Sequence, residues 1–73
     1  MARLLQYGDL WMVSCGMVLR DLREEMVAWC HESWGNAWGY VGNTRDNTEF
    51  YFYRLSHAEF FYLKFGDRLG RFT

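Results

Sequence analysis

The chain predicts a two-layer α+β sandwich, a small antiparallel or mixed sheet with two helices on one side. Three observations lead there. Apolar residues alternate along Leu10 to Met17 and Thr48 to Tyr53, they recur at helical spacing after Leu19 and again after Ser56, and Gly, Asn and Asp punctuate the stretches between. In the order strand, helix, strand, strand, helix, the apolar helix stripes and the apolar strand faces have only each other to cover. A strand that leads through a helix into a hairpin makes half of a ferredoxin-like unit the nearest arrangement. That is a statement about fold alone. Seventy-three residues make one domain, 1–73.

Taken in order, Ala2 to Tyr7 suits a short edge strand, and Gly8-Asp9 a tight hairpin turn. In the next strand Trp11, Val13 and Cys15 point one way and Leu10, Met12 and Ser14 the other. Both faces are largely apolar, as in a central strand. From Leu19 the period is helical, with Leu19, Leu22, Met26, Trp29, Cys30 and Ser33 on one stripe. Arg20 and Glu24 stand four apart and can pair, Glu24 and Glu25 read as a solvated pair in the first turn, and Gly35 ends the helix. Trp38, Tyr40 and Val41 form a short strand, and Gly42 to Asn47 is a polar hairpin loop.

The stretch Thr48 to Gly66 holds eight of the chain's fifteen aromatic residues. Alternation puts Phe50 and Phe52 on one face of a strand, with Tyr51 and Tyr53 on the other. Ser56 and Glu59 have the spacing of a capping box, Leu55 and Phe60 that of a hydrophobic staple, and Gly66 is placed to close a helix over Ser56 to Phe65. Gly66 to Thr73 is a polar tail with room for a brief final strand.

Composition excludes several function classes. Eight basic and nine acidic side chains give a net charge of -1, so no long-range field draws the chain to polyanions. Leu10 to Leu19, the longest mostly apolar run, is interrupted by Ser14 and Gly16 and is about half of what a membrane span needs. With no apolar signal core and only two cysteines, the expected setting is a reducing cytoplasm, with no membrane partner.

The residues that could carry chemistry have plainer explanations. Zinc favours closely spaced Cys or His pairs, whereas Cys30 and His31 are helix neighbours that diverge by about 100°. Cys15 and Cys30 read as small hydrophobes and His31 as a solvated helix residue. A cysteine nucleophile needs a base in contact and a third group to orient it, and neither His31 nor His57 stands at such a spacing. There is no phosphate-cradling loop and no Gly-x-Ser-x-Gly elbow. No cofactor and no enzymatic activity are expected.

The apolar surplus is the informative feature. The chain is 51% hydrophobic and 21% aromatic, more ring surface than a core of this size needs, so some rings belong on the surface. On the last helix Ala58, Phe61, Tyr62 and Phe65 form one stripe, while Phe60 and Leu63 lie outside it. A helix apolar on most of its circumference is covered on more than one side. The reading is a non-enzymatic protein-interaction module that associates with another copy of itself, through Tyr51, Tyr53, Phe60, Tyr62 and Leu63, with Arg54 and Lys64 at the rim. The alternative is single-stranded nucleic-acid binding, with Tyr51 and Tyr53 or Phe50 and Phe52 as a stacking platform and Arg45, Arg54, Lys64, Arg68 and Arg71 as the cations. The charge balance makes nucleic acid the less favoured partner.

The pattern Trp29-Cys30-His31-Glu32-Ser33-Trp34-Gly35, Trp38-Gly39-Tyr40, Phe50-Tyr51-Phe52 and Ala58-Glu59-Phe60-Phe61-Tyr62-Leu63-Lys64-Phe65-Gly66 resembles small uncharacterised proteins encoded by tailed bacteriophages, over roughly residues 22 to 66. That group has no agreed activity, so the resemblance implies no catalytic residue. It implies a setting, the host cytoplasm during infection, and a host protein as a further partner.

Overall fold

The computed structural model describes residues 2–44 and 46–70, the last four of these for their backbone alone. The elements are β1 (Arg3–Tyr7), β2 (Leu10–Ser14), α1 (Arg20–Trp34), β3 (Gly39–Asn43), β4 (Thr48–Phe52) and α2 (Leu55–Gly70). All four strands join one sheet in the order β1-β2-β4-β3, with every neighbouring pair antiparallel. Each half of the chain thus supplies a hairpin and a helix, and β2 beside β4 joins the halves. The run β2-α1-β3, with β4 inserted between its strands, is the expected half of a ferredoxin-like unit. The remaining edge is taken by β1 from the N-terminus.

The register sorts residues into rows across the sheet. Leu4, Val13, Phe50 and Val41 form one row on the inner face, and Leu5, Met12, Tyr51 and Tyr40 form a neighbouring row on the outer face. Val13, Phe50 and Phe52 are fully buried, because both helices cover the inner face. From α2, the Phe61 ring stands 4.6 Å from Phe50 and 5.2 Å from Phe52. From α1, Trp34 meets Phe52 at 6.1 Å and Trp29 meets Phe65 at 5.5 Å. Leu22, Met26 and Cys30, four residues apart on α1, are buried with them.

Local chemistry explains the connections. Gly8 takes φ 61° at the first position of the β1-β2 turn, the left-handed region that a two-residue hairpin of this twist requires. Gly39 is fixed more tightly, since at φ 142° a Cβ would lie 1.8 Å from the Tyr51 carbonyl oxygen. Only glycine lets β3 approach β4 there. Asn47 ties the ends of β2 and the β3-β4 loop together: its Oδ1 accepts from the Gly16 N–H at 2.8 Å and the Ser14 hydroxyl at 3.2 Å. Buried Thr48 donates its hydroxyl to Asn43 Oδ1 at 2.8 Å.

Several expectations need correction. The helix α2 starts at Leu55, and the Ala58 N–H bonds the Arg54 carbonyl, so Arg54 is the flanking residue and Ser56 sits inside the first turn rather than capping it. Gly66 does not close α2, which continues to Gly70 where a final strand was expected; the cost of one interior glycine, about 1 kcal/mol, is too small to end a helix anchored by Phe61 and Phe65. Residues 71–73 lie outside the described residues. The strand β2 ends at Ser14 rather than Met17: Gly16 takes φ 72°, which bends the chain out of the strand, and its N–H bonds Asn47 Oδ1. On α1, Leu19 and Ser33 are exposed rather than part of the inward stripe, Asp21 is the first-turn acid, and Glu24 and Glu25 lie one turn later. The Arg20–Glu24 pair forms at 3.4 Å, and Gly35 does end the helix through its N–H on the His31 carbonyl.

The two sides of α2 predict opposite responses to truncation. Phe61→Ala is expected to cost about 3–5 kcal/mol of unfolding free energy, and Phe60→Ala at high dilution less than about 0.5 kcal/mol. Urea unfolding followed by circular dichroism measures both; similar losses would mean that Phe60 belongs to the core.

Candidate functional site

Among the described residues, those anticipated for the interface divide between two open apolar surfaces. The first is the outer face of the sheet. Here Tyr51 of β4 stacks on Tyr40 of β3, with ring centres 4.8 Å apart and planes 22° apart, and meets Tyr7 of β1 edge-on at 5.8 Å. Tyr7 and Tyr40 are 60% and 47% exposed. Tyr53 stands just beyond β4 and is also exposed. Glu49 fixes this face, because its two carboxylate oxygens accept from the Tyr51 hydroxyl at 2.8 Å and the Asn47 amide at 3.0 Å. That hydrogen bond, with burial second, pushes the Tyr51 phenol up to about 12.

The second surface is the outer side of α2. Phe60 and Leu63 are 62% and 78% exposed, and with Ser56 and Glu59 they line a shallow groove of about 260 Å³. Tyr62 lies to one side, where its hydroxyl donates to the Ala2 carbonyl at 3.3 Å and ties α2 to the start of β1. Lys64 is exposed on the helix, and Arg54 is exposed just before it. Tyr51 and the pair Phe60 and Leu63 therefore occupy opposite layers, since the inner side of α2 faces the sheet and Tyr51 points away from it.

Sequence reasoning missed Tyr7 and Tyr40 as partners of Tyr51. The pairing Tyr40 with Tyr51 follows from hairpin register, which depends on where the β3-β4 loop closes, and the loop was read two residues too long, since Gly42 and Asn43 belong to β3. Phe50 and Phe52 are buried and cannot stack on a ligand, which removes them from the nucleic-acid platform. Of the cations proposed to flank it, Arg45, Arg71 and the Arg68 side chain lie outside the described residues.

The remaining groups offer little chemistry. Burial pushes the Cys15 and Cys30 thiols up to about 12, so neither presents a thiolate nucleophile near neutrality. Among the described residues no group of three or more His, Cys, Asp and Glu side chains could hold a metal ion, and no helix is long and apolar enough to cross a membrane. Family models, characterised proteins and solved structures were all compared with the chain, and none matches.

One titratable group is built into the packing. His57, in the first turn of α2, stacks on Trp34 of α1 with ring centres 4.2 Å apart and planes 14° apart, and its Nδ1 is buried with no hydrogen-bond partner. Burial, and after it the Arg54 charge, lower the His57 pKa below its ordinary value. Because the folded-state value is depressed, this group's contribution to stability is present above the unfolded value of about 6.5 and is lost as pH falls through the lower folded value. Unfolding free energy is expected to drop between pH 7 and 5 by more in the parent than in His57→Phe, which keeps a ring on Trp34. Equal drops in paired urea titrations would rule this out.

Proposed function

We propose that the chain is a non-enzymatic protein-interaction module that associates with a second copy of itself through the outer side of α2. One observation carries the reading: Phe60 and Leu63 have no polar side-chain atom with which to meet water, and no neighbouring element among the described residues covers them. The tyrosine face differs in this respect. Its rings already cover one another, its rim is hydroxyl, and Glu49 occupies the row beside them. Tyrosine tolerates a wet surface, whereas phenylalanine and leucine gain by leaving it.

The magnitude sets the expected strength. Burying two Phe60 and two Leu63 side chains that are already partly covered yields on the order of 6 kcal/mol, at about 2 kcal/mol for a whole side chain. The loss of independent motion on association costs about 4–15 kcal/mol, so these four side chains alone do not hold a micromolar dimer; the bordering residues must add several kcal/mol, and the pairing depends on concentration. Arg54, Tyr62 and Lys64 border this helix and supply the rim. The resemblance to tailed-bacteriophage proteins adds a host protein as the other class of partner for such a surface.

Single-stranded nucleic acid on Tyr7, Tyr40, Tyr51 and Tyr53 is the second reading, favoured by the open stacked rings alone. The Glu49 carboxylate beside those rings and the net charge of -1 count against it. Multi-angle light scattering across a dilution series from about 200 to 2 micromolar is expected to show a dimer falling to a monomer, and Phe60→Glu with Leu63→Glu to be monomeric throughout. A parent chain that stays monomeric would end the self-association reading.

A further inference from the structure

The outer side of α2 carries more than an apolar pair. Counted around the helix at about 100° per residue, Phe60 and Leu63 lie side by side at the centre of the exposed face, Ser56 continues that line toward the N-terminus, and Glu59 and Lys64 flank it on opposite sides. Glu59, Phe60, Leu63 and Lys64 thus occupy the flanking and core positions g, a, d and e of a coiled-coil heptad. All four are exposed. Phe60 and Leu63 span a single heptad, so the flanking charges have a large share in deciding how two copies meet.

Two symmetric arrangements can bring one α2 against another, and the charges separate them. With the two-fold axis running along the helices, the pairing is parallel, and the Glu59 flank of one copy lies beside the Lys64 flank of the other. Glu59 precedes Lys64 by five residues, the spacing at which g and e positions meet across a parallel pair, so two equivalent ion pairs form. With the axis across the helices, the pairing is antiparallel. Glu59 then faces Glu59 and Lys64 faces Lys64, and like charges oppose contact on both sides.

We propose, resting on the self-association reading above, that the partner is a second copy of this chain docked through a parallel two-fold pairing of α2, with Phe60 and Leu63 in the seam and Glu59 of each copy paired with Lys64 of the other. The assembly is a four-layer stack of sheet, helices, helices and sheet. Both tyrosine faces stay on the outside of it, free for another partner.

Charge reversal at the two flanks gives the test, because both residues are exposed and their replacement is expected to leave the circular-dichroism spectrum unchanged. Glu59→Lys and Lys64→Glu are each expected to weaken dimerisation about tenfold, by turning two attractions into repulsions, and the double reversal to restore it to within about threefold of the parent. Raising sodium chloride from about 0.05 to 0.5 M should weaken the parent dimer. A Ser56→Cys variant should form a disulfide-linked dimer under mild oxidation, since position 56 meets itself only across a parallel pair, while Cys15 and Cys30 are buried. A parent that dimerises but is indifferent to both single reversals, strengthens with salt and gives no Ser56→Cys cross-link would overturn the parallel pairing and leave self-association standing. A parent that never dimerises would overturn both.

Discussion

The structure depends on the contact between two strand phenylalanines and one helix phenylalanine. Phe50 and Phe52 occupy alternate positions of β4, and Phe61 sits over both at ring distances near 5 Å. Once that contact is made, the remaining geometry has little freedom. The pleat of β4 sends Tyr51 to the opposite face, and the helical period of α2 sends Phe60 and Leu63 to the side away from the sheet. A third layer would be needed on either side to bury them. The chain has only two layers, so exposure of apolar rings at both ends of the stack is a consequence of its aromatic content and its length together.

How much of this was readable beforehand differs by element, for a consistent reason. The β4 strand was legible because its signal is local: five residues whose rings alternate. The β1-β2 hairpin was legible from Gly8 between two apolar runs. The limits of β2 and α2 were not. Beyond β2 the chain bends at Gly16, a signal present in the sequence, but Asn47, which accepts from the Gly16 N–H, is 31 residues away and nothing near β2 reports it. At α2, Ser56 and Glu59 had the spacing of a cap, but the Arg54 carbonyl takes the first helical bond and displaces that local motif. The same distinction holds for the candidate site. The outward position of Phe60 and Leu63 follows from helical period alone, whereas the gathering of Tyr7, Tyr40 and Tyr51 needs the register of three strands.

The two open faces are chemically unlike, and that decides how each can be used. On the sheet, one carboxylate organises the rings: Glu49 accepts from Tyr51 and from Asn47, which in turn holds the end of β2. Such a surface is preorganised and keeps its own hydrogen bonds whether or not anything is bound, so a partner gains ring contact without ordering the side chains first. The α2 surface has no internal bonds of that kind. Phe60 and Leu63 gain only by being covered, and what lends direction to the covering is the pair of unlike charges on either side of them.

If a second copy docks on the side of α2 away from the sheet, as proposed, folding and association draw on the same helix. Pairing binds the folded chain and not the unfolded one, so it adds to apparent stability in proportion to the logarithm of concentration over Kd. For a domain of this size, whose margin is on the order of a few kcal/mol, such a pairing contributes a comparable amount only well above its Kd. Dilution would then loosen α2 twice over, first by removing the partner and then by exposing a helix that Phe61 and Phe65 hold to the sheet unaided. The surplus of apolar surface in the sequence and the thinness of the core are on this view one property. The rings that the interior cannot cover lie on the element whose attachment most benefits from being covered.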